Sequence, residues 1–457
     1  MKVHFIAIGG SAMHNLAIAL SKKGYTVTGS DDEIFEPAKS HLATYGLLPE
    51  APGWNPDLIT PDLDAVILGM HAFEDNPELQ RARELNLRIY SYPEYLYEQT
   101  KNKTRVVIGG SHGKTTITAM IMHVLHFHHK KFDYMVGSQL EGFDAMVSLS
   151  EDAPVAVFEG DEYLASTLDP RPKFHLYKPD IALISGIAWD HINVFPTFDK
   201  YVEQFRIFAQ LVPAKGAVVY FGQDENIRKV VNQVKEGVRK LPYDTHPHEI
   251  EKGTTYLLTP KGKVPLQIFG DHNLQNISGA KQVCNLIGIN DQEFYQAISQ
   301  FKGAAKRLQL LQEDKDTSIY LDFAHSPSKL LATIKAVKSQ YPQRHLVACM
   351  ELHTFSSLTK EFLPHYKGTM IEADQAFVYF NPQTIEHKHL QSITKEEVKE
   401  AFAGKNVTVF TDAQELQKTI LQIDWRDKNL LLMSSGNFSG IDFKEFSKEI
   451  IKRTYCK

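Results

Sequence analysis

The sequence predicts an α/β protein of three blocks: a Rossmann-like N-terminal domain, a central P-loop ATPase domain and a Rossmann-like C-terminal domain. Three observations lead there. Short β-branched runs alternate with helix-like segments along the 457 residues, the pattern of βαβ units and parallel sheets. Glycines, acids or histidines follow one strand after another, at the carboxyl ends where open parallel sheets hold ligands. In the middle, Val106-Val107-Ile108 runs into Gly109-Gly110-Ser111-His112-Gly113-Lys114-Thr115-Thr116 and then into an apolar helical stretch over 117–125. The length exceeds what one core serves, and the pattern divides it into 1–103, 104–303 and 304–457.

In residues 1–103, Val3-His4-Phe5-Ile6-Ala7-Ile8 reads as a buried strand, followed by Gly9-Gly10-Ser11 and an amphipathic helix through Leu20. The next strand is Tyr25-Thr26-Val27-Thr28-Gly29, ending at Asp31 and Asp32. Another is Ala65-Val66-Ile67-Leu68, ending at His71. Gly9, Gly10, Ser11, Asp31 and His71 thus share one rim. The turn lacks the full G-x-G-x-x-G pattern, so a tight turn without a ligand stays open. So does an NAD site, because Asp31 stands about 20 residues on, where a ribose-binding acid falls.

Residues 104–303 carry the strand, glycine-rich turn and helix of a P-loop. Its glycines let backbone N–H groups curl around phosphate, and the helix N-terminus adds the positive end of its dipole. Gly110, Ser111, His112, Gly113, Lys114, Thr115 and Thr116 form the expected ATP cradle, with Lys114 on the outer phosphates and Thr115 facing Mg²⁺. The standard spacing needs a glycine at Ile108, so this loop is a short one, and a chance Gly-Lys-Thr is the plain alternative. Pro154-Val155-Ala156-Val157-Phe158 ends at Glu159-Gly160-Asp161-Glu162, and Ile181-Ala182-Leu183-Ile184 leads to Asp190-His191. Carboxylate and imidazole beside a P-loop can complete a metal shell, although acids after strands also cap helices. His123, His126, His128 and His129 read as the outer face and basic end of the P-loop helix rather than a metal site.

Residues 304–457 repeat the pattern. Thr317-Ser318-Ile319-Tyr320-Leu321 ends at Asp322-Phe323-Ala324-His325. His345-Leu346-Val347-Ala348-Cys349 ends at Glu351-Leu352-His353, and Asn429-Leu430-Leu431-Leu432-Met433 runs into Ser434-Ser435-Gly436. The charged run over 396–405 reads as a solvated helix ending at Gly404. Three such blocks imply a substrate held between domains. The net charge of −5, from 50 basic and 55 acidic side chains, argues against a nucleic-acid partner. No apolar run is long enough for a membrane span. The start of the chain has no signal-peptide pattern, and three scattered cysteines fit the cytoplasm.

Together these motifs resemble the Mur ligases, ATP-dependent amide-bond ligases of bacterial cell-wall synthesis built from three α/β domains. The likeness spans essentially the whole chain. It explains the shortened P-loop, which is similar to the family's GTxGKT with Ser111 for Thr. It implies that Glu159 and His191 hold the metal with Thr115, and that His272, Asn273 and Asn276 in Gly270-Asp271-His272-Asn273-Leu274-Gln275-Asn276 serve ATP. It further implies that Arg307, after Lys306, approaches the γ-phosphate and that Asp322 contacts the ribose. The first rim then takes a UDP-sugar rather than NAD. Lys114, Glu159, His191 and Arg307 are the implied catalytic set, and ATP and Mg²⁺ the implied cofactors.

The resemblance also implies the reaction: ATP activates the lactyl carboxylate of UDP-N-acetylmuramate, and a free amine then attacks the acyl phosphate. The D-x-R-x-K-F pattern within 169–179 is similar to the branch that adds L-alanyl-γ-D-glutamyl-meso-diaminopimelate; the alternative amine is L-alanine. The expected protein is a monomer or weak homodimer. Two departures stand out. Gly186 occupies a position where the family often has Asn. The 351–357 loop, expected with His325 to meet the amine substrate, has no Arg and offers His353, a weaker carboxylate partner. A nucleotide-dependent switch is the reading from a different class, because it keeps the P-loop and needs no acceptor site.

Overall fold

The computed structural model describes residues 1–70, 72–140, 142–189, 194–304, 307–404 and 406–455. The chain forms two compact units: residues 1–245 with 275–298, and residues 246–274 with 299–457.

The first unit holds two sheets. A four-stranded parallel sheet runs in the order Thr26–Ser30, Lys2–Ile6, Ala65–Leu68, Ile89–Ser91. Its first strand stops short of the expected Ile8. Ala7 turns to φ 65°, and the N–H groups of Ala7 and Ile8 both donate to the Ser30 carbonyl, so the chain has already entered the turn. The second sheet has seven strands, ordered Arg239–Tyr243, Ala217–Phe221, Ile181–Ile184, Thr104–Gly109, Val155–Glu159, Phe132–Met135, Val147–Ser148. Only the last pairing is antiparallel. The strand before the P-loop lies at the centre, so its carboxyl end is flanked by the ends of Val155–Glu159 and Ile181–Ile184. That register brings Glu159 level with Ile108.

The central strands of the seven-stranded sheet are buried and read as largely apolar runs, as expected where both faces are covered. Phe158, Phe174, Phe205 and Phe208 lie fully buried beneath the P-loop strand. The P-loop helix, Lys114–Phe127, packs on helix Asp291–Ile298. Its histidines do more than face outward as expected: His123 Nε2 is 2.9 Å from the Ala297 carbonyl and His128 Nε2 2.8 Å from that of Glu293. They tie the two helices together.

The second unit holds a three-stranded antiparallel sheet, His248–Glu251, Thr254–Thr259, Gly262–Pro265. Its larger sheet has six strands, ordered Gln309–Asp314, Thr317–Asp322, Lys428–Met433, His345–Leu352, Gln375–Phe380, Val407–Phe410. All its pairings but the first are parallel. The charged helix is Lys395–Phe402. It buries Val398 and Phe402 and ends on Ala403 at φ 49°, one residue before the expected glycine. No helix among the described residues is long and apolar enough to cross a membrane.

Candidate active site

The P-loop geometry follows from its glycines. Gly110 sits at φ +136°, where a Cβ would fall 2.1 Å from Ser185 Oγ; Gly113 sits at φ +81°, with a Cβ 2.6 Å from Asn276 Oδ1. A side chain at either would both strain the backbone and collide. The loop instead folds against residues 185–188. Ser111 N and Oγ donate to the Gly186 carbonyl at 3.0 Å each, and Ala188 N donates to Ser111 Oγ at 2.6 Å. Gly113 precedes a 14-residue helix with no side-chain cap, leaving its first N–H groups aimed at the loop.

Two charged or polar pairs line this loop. Lys114 Nζ donates to the Gly110 carbonyl at 2.7 Å and to Glu162 Oε2 at 2.8 Å. Burial opposes its charge, but Glu162, Asp161 and Glu159 together hold the ammonium above its ordinary pKa. Thr115 Oγ1 donates to Glu159 Oε1 at 2.6 Å, and Gly137 N to Glu159 Oε2 at 2.8 Å. Burial and the neighbouring Asp161 raise the Glu159 pKa against those hydrogen bonds and Lys114. The buried Thr115 hydroxyl and Glu159 carboxylate in contact offer hard oxygen donors side by side. That fits Mg²⁺, which prefers hard oxygen ligands. His191, the other expected ligand, and Asp190 lie outside the described residues, as do His71 and Lys306.

Gly186 now has an explanation. A Cβ there would lie 2.2 Å from His112 Cε1, so the His112 ring occupies the space that a side chain at 186 would take. Ser185 Oγ donates to the His112 carbonyl, and Asp224 Oδ2 accepts from Ile187 N at 2.9 Å. Glu162, three residues after Glu159 in the sequence, is thus the partner of Lys114, while Ser185 and Asp224 hold the backbone at 112 and 187 through contacts that nothing local in the sequence marks.

On the first sheet's rim, Asp31 Oδ2 accepts from Gly9 N at 2.6 Å. Burial, with Asp32 beside it, pushes the Asp31 carboxyl up to about 6 despite that bond. Gly10 precedes helix Ser11–Lys22, and its carbonyl lies 3.0 Å from His14 Nδ1. Asn15 Oδ1 accepts from Met146 N at 3.0 Å, and Ser11 Oγ reaches Met146 Sδ at 3.7 Å. The turn is thereby joined to the seven-stranded sheet's edge.

In the second unit, Asp322 is buried, and its oxygens accept from Leu308 N at 2.6 Å and Ala324 N at 2.7 Å. It clamps the backbone beside Arg307, whose guanidinium lies 4.8 Å from the Phe323 ring centroid. Asn273 Nδ2 donates to the Phe269 carbonyl at 2.9 Å. Burial lowers the His272 pKa, opposed by Asp322 and Asp271. His325 Nδ1 is 2.8 Å from the Phe323 carbonyl. His353 Nδ1 lies 3.7 Å from Glu351 Oε1, while Glu351 Oε2 accepts from Ser434 Oγ and, at 2.9 Å, from Phe438 N. The buried Glu351 therefore binds the 434–438 loop beneath His353.

Three family models match in succession: the Mur ligase family catalytic domain over residues 2–104, the Mur ligase middle domain over 108–284, and the Mur ligase glutamate ligase domain over 306–436. The chain belongs to the Mur ligase family. A UDP-N-acetylmuramate–L-alanine ligase of Limosilactobacillus reuteri is 30% identical over 390 residues, covering 82% of this chain and 84% of that one. The fold is similar to the UDP-N-acetylmuramate-alanine ligase of Thermotoga maritima, with a TM-score of 0.69 and 20% identity over 99% of each chain. It is also similar to a murein peptide ligase of Psychrobacter arcticus, with a TM-score of 0.61 and 22% identity over 99% of this chain and 98% of that one. This Mur ligase is thus an ATP-dependent enzyme of peptidoglycan synthesis that forms C–N bonds. Membership of a ligase family displaces the nucleotide-switch reading.

Proposed function

We propose that this Mur ligase joins the lactyl carboxylate of UDP-N-acetylmuramate to the α-amine of L-alanyl-γ-D-glutamyl-meso-diaminopimelate, as a recycling enzyme of the cytoplasm. The observation that carries the chemistry is the meeting of Lys114 with Glu162 and of Thr115 with Glu159 at one P-loop. In this reading residues 1–103 hold the sugar nucleotide on Gly9, Gly10, Ser11, Asp31 and His71. Residues 104–303 hold ATP, and 304–457 the amine.

A carboxylate is a poor electrophile, so it is activated first. Its oxygen attacks the γ-phosphorus of ATP, the bond to the β-bridging oxygen breaks, and ADP leaves with that electron pair. The amine then adds to the acyl carbon, loses a proton, and inorganic phosphate departs. Phosphoryl transfer is chiefly positioning and charge neutralisation. The N–H groups of 110–116 and Lys114 bind the phosphates in this reading, and Arg307 adds positive charge, as the family resemblance implies. Thr115, Glu159 and His191 would hold Mg²⁺, which supplies further neutralisation. His272, Asn273, Asn276 and Asp322 serve the nucleoside. His353, seated on Glu351, meets the amine substrate's carboxylate together with His325.

The second reading, L-alanine as the amine, is favoured by the relative from Limosilactobacillus reuteri. Phosphate release from ATP, Mg²⁺ and UDP-N-acetylmuramate, with each amine in turn, separates the two. Turnover with the tripeptide is expected. Turnover with L-alanine alone overturns the tripeptide assignment and leaves the ligase chemistry standing; silence with both overturns the acceptor site.

A further inference from the structure

Residues 163–173, which follow Glu162 directly, form a closed strap rather than an open surface loop. Lys173 N donates to the Tyr163 carbonyl at 2.8 Å and Ala165 N to that of Arg171 at 2.9 Å, with Leu164 and Pro172 bridged between them. Inside the tip, Ser166 Oγ accepts from Leu168 N at 3.2 Å and Asp169 N at 2.9 Å. The root of the strap is set in the phosphate site. Phe174 N donates to the Asp161 carbonyl at 3.1 Å, and a Cβ on Gly109 would touch the Phe174 ring at 3.2 Å. One residue before the strap, Glu162 grips Lys114.

The tip reaches the other sheet of the same unit. Thr167 Oγ1 donates to the Ala72 carbonyl at 3.1 Å, just past the end of strand Ala65–Leu68. Arg171 Nη2 donates to Asp169 Oδ2 at 2.7 Å and to Glu94 Oε1 at 2.9 Å. The second oxygen of Glu94 accepts from Ser91 N and Oγ at 2.9 Å each, at the end of strand Ile89–Ser91. Leu168 packs on the cluster of Ile6, Val66, Leu68 and Ala72. The strap therefore runs from the partner of the P-loop lysine to the carboxyl ends of two strands of the first sheet. The D-x-R-x-K-F pattern, read from sequence as a mark of the amine, touches the acyl-donor side.

Transfer of a γ-phosphoryl group to a carboxylate requires the two ligands to be registered closely, since about 1 Å of misplacement can cost up to 100-fold in rate. The ligands of the proposed reaction are bound by different sheets. We propose that the 163–173 strap registers the sugar-nucleotide rim against the P-loop, with Thr167 and Arg171 as its positioning residues. This rests on the reading of the first rim given above. Neither residue touches ATP in it; both act by holding Ala72 and Glu94 at a set distance from Glu162 and Lys114.

The test compares wild type with Thr167→Val/Arg171→Gln and with the conservative Thr167→Ser/Arg171→Lys. The first pair removes the hydroxyl and the charge; the second keeps both. In the ligase assay kcat is expected to fall about tenfold in the first variant. KM for ATP and for UDP-N-acetylmuramate should stay within twofold, and the conservative variant should recover most of the loss. Unchanged kcat overturns the proposal. So does a parallel rise in either KM, or a conservative variant as slow as the first, because the strap would then serve only binding or stability. Amide hydrogen exchange decides independently of the substrate's identity. ATP with Mg²⁺ alone should slow exchange over 164–172 and 69–76 in wild type, and over the P-loop alone in the Val/Gln variant. Wild-type protection confined to the P-loop overturns the strap's role, whereas wild type silent in the ligase assay overturns the functional reading.

Discussion

Replacing Lys114 by Ala should damage this protein twice, and the two effects can be pulled apart. The ammonium and the Glu162 carboxylate are 2.8 Å apart, with side chains 14% and 1% exposed. At an effective dielectric of about 20, that separation corresponds to an attraction of about 6 kcal/mol. Deleting one partner of a buried ion pair typically costs about 3–5 kcal/mol. Glu162 keeps a long contact with the Tyr201 hydroxyl at 3.4 Å, which places the expected loss near the lower bound, about 3 kcal/mol. At about 2.1 cal/mol/K of unfolding entropy per residue, for a unit of this size that is a drop in Tm of roughly 5 °C. Glu162→Gln in the same chain removes the buried charge as well, so the double variant should recover to within about 1 kcal/mol of wild type. Phosphate release should be lost in both, because neither has the Lys114 ammonium on the phosphates. Calorimetry and the phosphate assay on the four proteins of the cycle provide the check. A double variant no more stable than Lys114→Ala refutes the buried-pair argument; normal turnover by Lys114→Ala refutes the P-loop assignment.

Two further outcomes are expected. The Asp31 carboxyl titrates near 6 in the folded chain against an ordinary value of about 3.9. The folded state thus binds more protons than the unfolded between those values, and stability falls as pH rises from 4 to 6. Asp31→Asn, which keeps an acceptor for Gly9 N, should remove that slope and raise stability at pH 7 by on the order of 1–2 kcal/mol, allowing for solvent around the rim; superimposable pH–stability curves would falsify this. Gly186→Ala pushes a methyl into the His112 ring, whose Cε1 is 2.2 Å from the new Cβ, and should cost about 1–3 kcal/mol and weaken ATP binding. Adding His112→Ala should restore the stability, and a single variant with wild-type Tm and ATP affinity refutes the packing reason.

The P-loop was legible because everything that defines it is contiguous: a buried strand, two glycines whose positive φ no other residue adopts cheaply, and a helix. Strands buried on both faces were legible too, since Ala65–Leu68 and Ile181–Ile184 are unbroken apolar runs. The antiparallel sheet was not, because strands such as His248–Glu251 alternate weakly and lie half in solvent. In the candidate site, what sequence order conceals is which neighbour occupies a space. Gly186 reads as a plain departure from the family's Asn until His112 is seen filling the space. The 169–179 pattern reads as a mark of one substrate, and the fold adds that Arg171, with Thr167 just before it, reaches the strand ends of another sheet. Both observations have one cause. A residue's type is written locally, but its partner lies 70 to 100 positions away, and only the register of the parallel strands brings the two together. Departures from a motif are therefore best judged in pairs, and His112 with Gly186 is such a pair, because the ring occupies the space a Cβ at 186 would need.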